Sequence, residues 1–255
     1  MTRTDRILAF FLLLCGVAFF AAPAGAESGA TAKNSCVACH SKLSGSSFVG
    51  AKSHSWNGSV HQQHDVTCDK CHGGHPAAAE KAAAHAGVLG SSDPKSPVYF
   101  KNIPTTCGKC HGAEFYKFTQ SLHYQMLESS GKGPDCVTCH GSMVTKILAP
   151  GTLAAVCDRC HNERMGIFPD VPQRAKAVLL LLRESKALLA ADEKLYHPDE
   201  GSAEAHSLSD AGAALHSASL DWHRFDLDTI TSHIQDFYDA LQGLPPQKAQ
   251  PKPKK

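Results

Sequence analysis

The chain has 255 residues, of which 42% are hydrophobic, 19% charged and 7% aromatic, and its formal net charge is +1. That balance suits a folded polypeptide of one or two domains and excludes an intrinsically disordered one. With no basic stripe outside the C-terminal tail it also excludes a nucleic-acid binder, and with a single long apolar run, Ile7 to Phe20, a multi-span transporter.

That run follows Arg3 and Arg6 and leads into AAPAGA, with small residues at Ala24 and Ala26. A basic start, an apolar stretch and an A-x-A ending predict a secretory signal, residues 1–26, cut after Ala26. Cys15 leaves with it. The remaining 229 residues carry 23 basic and 23 acidic side chains. They are expected in the periplasm or further out, with no transmembrane segment once the signal is cut. In such an oxidising compartment paired cysteines usually become disulfides.

The next segment, 27–168, holds the other ten cysteines, all in one spacing. They read Cys36-Val-Ala-Cys39-His40, Cys68-Asp-Lys-Cys71-His72, Cys107-Gly-Lys-Cys110-His111, Cys136-Val-Thr-Cys139-His140 and Cys157-Asp-Arg-Cys160-His161. C-x-x-C-H is the attachment string of c-type haem. Two thiols three positions apart can form thioethers to the two vinyl groups of one porphyrin, and the adjacent histidine reaches the iron. Zinc ribbons have no need of a histidine after every pair, thioredoxin-like pairs come singly in a βαβ setting, and a disulfide scaffold has no use for the histidines. Five covalently bound haem c groups are therefore expected.

With these motifs, the strings Cys68 to His75 (CDKCHGGH), Ser96-Pro97-Val98-Tyr99 and Asn102-Ile103-Pro104 before CGKCH make the sequence resemble the multihaem cytochromes c, over nearly all of residues 33–242. The resemblance implies a haem-packed, loop-rich, periplasmic electron carrier. The segment also carries a weak two-copy repeat: a haem site, an aromatic-x-x-Ser-x-His element (Trp56 to His61; Phe118 to His123), then a haem site ending in glycine. Between the copies, Gly90 to Pro97 has turn chemistry. About 46 residues per haem are too few for a side-chain core around each group, so the porphyrins themselves are expected to be the core.

Residues 169–243 change character. Ala175, Val178, Leu179, Leu182, Lys186 and Leu189 follow helical spacing, with Asp170 as N-cap, Pro172 in the first turn and His197-Pro198 as the stop. A second helix is expected from near Ser202 to Leu220. A third starts near Asp226, with Leu227, Ile230, Ile234, Phe237 and Leu241 on one stripe. These helices should form a hairpin or bundle packed on the haem cluster; Arg183 and Glu184 argue against membrane burial of the first. Residues 244–255 read as a disordered basic tail. The fold class is thus mainly α with extensive loops: a haem-packed core plus a C-terminal helical bundle.

Each iron takes one proximal histidine, His40, His72, His111, His140 or His161, and has one further axial position. Eleven histidines are spare, against three methionines in the mature chain (Met126, Met143, Met165), so bis-histidine ligation is expected. His61 and His123 lead the distal candidates because they occupy the same slot in both repeats. His223 follows, resembling the distal histidine on the C-terminal helices of related cytochromes; then come His75 and His54, and after them His64, His85 and His216. His216 and His223, seven apart, would share one face of a continuous helix. His197, His206 and His233 read as solvated or capping residues.

This ligand set predicts an electron carrier for anaerobic respiration with no catalytic residue. Its partners would be redox proteins: a quinol-oxidising donor or other cytochromes on one side, a terminal reductase or outer-surface conduit on the other. Lys101, Lys109, Lys117 and Lys132 are candidate docking charges near haem edges. The alternative is a small multihaem reductase or oxidase acting on nitrite, hydroxylamine or a sulfur oxyanion at one haem with an open distal side, recruiting Tyr116, Tyr124, Arg159 or Arg164.

Overall fold

The computed structural model describes residues 34–244; the expected signal segment and the expected disordered tail lie outside the described residues. Helices and loops make up the whole of this region, with no strand among the described residues. Ten short helices come first: α1 (Ser35–His40), α2 (Phe48–Trp56), α3 (Val60–Gln63), α4 (Cys68–His72), α5 (Lys81–Ala84), α6 (Ile103–Gly108), α7 (Gly112–Thr119), α8 (Leu122–Ser130), α9 (Cys136–His140) and α10 (Pro150–Cys157). Three longer ones follow: α11 (Val171–Leu195), α12 (Ala203–Asp221), extended by a 3₁₀ turn over Trp222–Arg224, and α13 (Leu227–Leu241). None of the described helices is long and apolar enough to cross a membrane.

The short helices are set by capping more than by propensity. Asn34 accepts from the N–H groups of Cys36 and Val37, Ser47 from Gly50, Ser59 from Gln62 and Ser121 from Tyr124. Asp135 and Thr138 close a capping box on α9. α6 and α10 instead start with proline in the first turn. The connector between the repeats is stitched by side chains. The amide of Asn102 donates to the carbonyls of Pro94 and Ser96, Thr106 donates to Pro97, and the fully buried Ser96 hydroxyl donates to Leu89. The Ser-Pro-Val-Tyr and Asn-Ile-Pro strings are thus two halves of one turn.

Apolar burial divides the chain. Before α11 the buried hydrophobic side chains are few, Trp56, Phe118, Leu127, Leu153 and Ala154. Large apolar groups there stand open, including Ile147 at 96%, Phe48 at 78% and Leu122 at 70% exposure. The last three helices bury a continuous cluster of Leu182, Ala211, Leu215, Ala218, Ile230, Ile234 and Phe237. The small residues Ala211 and Ala218 on α12 let α13 approach closely. On α11 the buried stripe runs through Pro172, Ala175, Leu182, Ser185 and Asp192, one position away from the expected Lys186, which is exposed. Ser185 is tolerated because its hydroxyl donates to the Tyr238 hydroxyl, at 3.2 Å. Asp170 is the N-cap residue of α11, as expected, but its side chain makes no capping bond; it pairs at 3.6 Å with Arg174, which also holds Asp228 at 2.9 Å.

The bundle meets the short-helix region where α12 packs on α7, and α11 packs on α10. At the first contact the buried Asp221 carboxylate accepts from Lys117 at 2.7 Å and from His233 at 3.0 Å, with Arg224 3.7 Å away. His233 is therefore a half-buried partner in a charge cluster, not the solvated or capping residue expected. Phe118, His123 and Trp222 surround Phe225, whose left-handed backbone (φ 60°) turns the chain out of the 3₁₀ turn into α13.

Phe237→Ala removes a fully buried ring and is expected to cost about 3–5 kcal/mol, read as a fall in denaturation midpoint. Burial alone would raise the Asp221 carboxyl, but bonds from Lys117 and His233 and the charges of Lys117 and Arg224 hold it below the usual carboxylate range. That stabilisation is complete above the unfolded value of about 4 and lost as pH falls through the lowered folded value. Asp221→Asn should cost about 3 kcal/mol at neutral pH and flatten this acid limb in pH-dependent denaturation.

Candidate haem sites

All five C-x-x-C-H strings fold as one helical turn, which puts both cysteines on one side and the histidine just beyond. At the first, second and fourth sites the string lies inside α1, α4 and α9. At the third and fifth it begins inside α6 or α10 and runs past the helix end. The turn is still kept by His111 N–H to Cys107 and His161 N–H to Cys157, both at 2.9 Å. Among the described residues none of the ten thiols is in a disulfide.

The sites adjoin one another in chain order. α1 packs on α4, α6 on α9, and α9 on α10. Burial and then the neighbouring Cys36 push the Cys68 thiol up to about 11. Burial followed by Cys107 and Cys110 raises Cys71. Cys107 and Cys136 are hydrogen-bonded to each other. Burial and then Cys157 push Cys139 up to about 11. Each site thus touches the next, from the first to the fifth.

Four of the five motif histidines face a second imidazole. His40 lies 5.8 Å from His85, His111 6.2 Å from His61, His140 6.3 Å from His223 and His161 5.9 Å from His123, between ring centroids. Metal–imidazole bonds are about 2 Å, so two imidazoles on opposite sides of one metal stand about 6 Å apart, centroid to centroid. The pairs fit an iron between them. No group of three His, Cys, Asp or Glu suited to a bare metal ion occurs among the described residues. A porphyrin would supply the remaining four donors.

Second contacts on the rings agree. Nδ1 of His85 donates to the Lys81 carbonyl at 2.8 Å, Nδ1 of His140 to Lys146 at 3.1 Å and Nδ1 of His161 to Ile167 at 3.0 Å. A carbonyl can only accept, so these bonds fix the proton on Nδ1 and leave the Nε2 lone pair for a metal. His61 Nδ1 lies 3.3 Å from the Thr145 hydroxyl. Burial, then the facing His161, pushes His123 down to about 4; burial first also lowers His40, His61, His72 and His223. All five are held in the neutral, ligand-competent form at pH 7.

Local structure explains the deliveries. Ser59 and Ser121 cap α3 and α8, so a histidine two positions on falls in the first turn; this is the content of the Ser-x-His slot. Each histidine then faces the site after the one it precedes: His61 lies beside His111 of the third and His123 beside His161 of the fifth. Gly133 lets the chain beyond α8 close under it, since a Cβ there would lie 2.1 Å from the His123 carbonyl. α12 ends at Asp221, so His223 sits on the 3₁₀ turn and does not share the face of His216, which is exposed.

By sequence His85 comes after His75 and His54; in the structure it is His85 that lies beside a motif histidine. The CHGGH turn, with Gly73 and Gly74 at positive φ, folds the chain back so that His75 N–H bonds Ala84 and Ser35 N–H bonds Pro76. Both His75 and His85 are exposed, but the reversal holds His75 in the turn and brings His85 beside His40 of α1. His54 is exposed on α2, its Nε2 3.3 Å from the Leu43 carbonyl. Neither reaches a motif histidine. The only sequence signal for His85 is the pair of glycines that forces the reversal. His206 bonds its own helix at Ser202, and His197 is exposed. Of the candidate docking lysines, Lys117 is committed to Asp221 and Lys101 donates to the Glu128 carbonyl, while Lys109 and Lys132 are exposed. Among the groups a reductase would recruit, Tyr124 packs edge-on against Phe115 and Phe118, Arg159 lies by Cys139, and Tyr116 and Arg164 are exposed.

Residues 95–162, which contain the third, fourth and fifth sites, match the family described as cytochrome c7 and related cytochrome c. A curated protein of Shewanella baltica (strain OS185) named multiheme cytochrome MtrA is 29% identical over 132 residues, covering 51% of this chain and 32% of the relative. The chain thus spans about a third of the length of that relative. No solved structure matches. The repeated attachment turns, the imidazoles facing them and these two similarities support a multihaem cytochrome c.

Proposed function

We propose that the chain is an exported, five-haem electron relay of the periplasm, in which Cys36/Cys39, Cys68/Cys71, Cys107/Cys110, Cys136/Cys139 and Cys157/Cys160 each hold one haem c. The observation that carries this reading is the set of four imidazole pairs at 5.8–6.3 Å, each built on a motif histidine. His85, His61, His223 and His123 are the proposed distal ligands of the first, third, fourth and fifth sites. Haem, when bound, supplies a one-electron couple. The chain supplies the ligands, their orientation and the order of the sites. Two imidazoles on one iron favour a lower potential than histidine with methionine. Carbonyl bonds at Nδ1 strengthen the donor and fix its plane.

Contact of each site with the next, in chain order, supports one path with its ends at the first and fifth sites. Its proposed partners are a quinol-oxidising donor or another cytochrome at one end, and a terminal reductase or outer-surface conduit at the other. Small, transient interfaces suffice for such encounters. The four paired sites support the relay over a reductase, because a facing imidazole leaves no room for a substrate.

Intact mass of the exported protein is expected to equal the chain from Glu27 plus five haems; fewer haems, or disulfides within the motifs, would overturn the reading. His61→Ala and His123→Ala should each convert one low-spin ferric haem to high spin, seen by electron paramagnetic resonance. Ser121→Ala, which removes the cap of α8, should cost about 1 kcal/mol in denaturation experiments while leaving the haem count unchanged.

A further inference from the structure

The second site departs from the other four. His72 is half-buried on α4, and the histidine acting on it electrostatically is His40, which already faces His85. No ring pairing joins His72 to a spare imidazole among the described residues, which include every histidine of the chain. The spare histidines nearest in sequence are placed elsewhere. His54 is turned to the Leu43 carbonyl, its ring over Gly45. His64 ends α3, exposed, and acts on His61. His75 is exposed in the glycine turn. In the bundle, His233 is bound to Asp221 at 3.0 Å, and His206 to its own helix. His197 and His216 are exposed, as are Met126 and Met165, and the half-buried Met143 lies three residues past His140 of the fourth site.

We propose that the iron held by His72 is the one open coordination position of this protein, and that in the ferrous state it takes small π-acceptor ligands of the carbon monoxide and nitric oxide class. The assignment rests on the five-haem reading and adds a ligand-binding site to it. Binding forms one iron–ligand bond and transfers no electron, so it needs no co-reactant. Its place inside the series gives it a consequence. The first site adjoins the second and the second adjoins the third, so a ligand that stabilises ferrous iron there would hold an electron between the two ends and slow passage along the path.

The oxidised holoprotein, with five haems established by mass, is expected to show one haem in five as a high-spin ferric signal. Carbon monoxide should perturb the same fraction of the reduced Soret absorption. His85→Ala, His61→Ala, His223→Ala and His123→Ala should each raise the high-spin share from one haem in five to two. A variant among these that leaves it at one would place the open iron at its own site and overturn the assignment to His72. His54→Ala, His64→Ala and His75→Ala, all at exposed positions, should leave the spectrum unchanged. A gain of a high-spin haem in any of them identifies that histidine as the missing ligand and overturns the proposal. Five haems that are all low-spin and indifferent to carbon monoxide would refute the open site and leave the relay standing; fewer than five haems would refute the relay itself.

Discussion

A helix of four to nine residues cannot hold itself together in water, because nucleation costs more than so few hydrogen bonds return. Ten of the thirteen helices described here are of that length, and between them they bury only a handful of apolar side chains. Their stability has to come from something apolar that is not polypeptide. Haem, tied through both cysteines of a turn and through the next histidine, would be of the right kind: a flat hydrocarbon surface fixed at three points of one helical turn. The side chains of Phe48, Leu122 and Ile147 stand largely exposed in this region, with Lys52 over the Phe48 ring.

The three long helices obey the ordinary rule. Their leucine, isoleucine, alanine and phenylalanine stripes close on one another, and the cluster around Phe237 needs no cofactor. What this bundle contributes to the haem region is narrow and specific. It ends α12 in a 3₁₀ turn that carries His223 to His140, and anchors that turn through Lys117 and Asp221 across the boundary. A conventional core is thus used to aim one imidazole. His123, packed on Phe225 of the same turn, links the fourth and fifth sites to that one anchor.

Sites in chain order, each thiol pair beside the next, give the molecule a direction that its composition does not show. Because His61 and His123 lie before one attachment turn and face the following one, every short helix is tied both to its own site and to a neighbour. Such cross-ties hold the series together without a continuous side-chain core. They also make each link depend on the one after it.

The sequence alone determined the attachment turns, because C-x-x-C-H is a local device whose parts lie within five residues. The three C-terminal helices were equally legible, since their periodicity and caps are local too, and Ser-x-His was readable because a serine cap fixes where the next histidine falls. Which imidazole meets which was decided only by tertiary structure. His85 reaches His40 through a glycine reversal, and His223 reaches His140 across more than eighty residues because a 3₁₀ turn rotates it away from His216. His54 and His75 have the same chemistry and are nearer in sequence, but the backbone brings neither beside His40. Ligand pairing is a matter of distance in space, and nothing in the spacing of histidines along a chain encodes where its loops return.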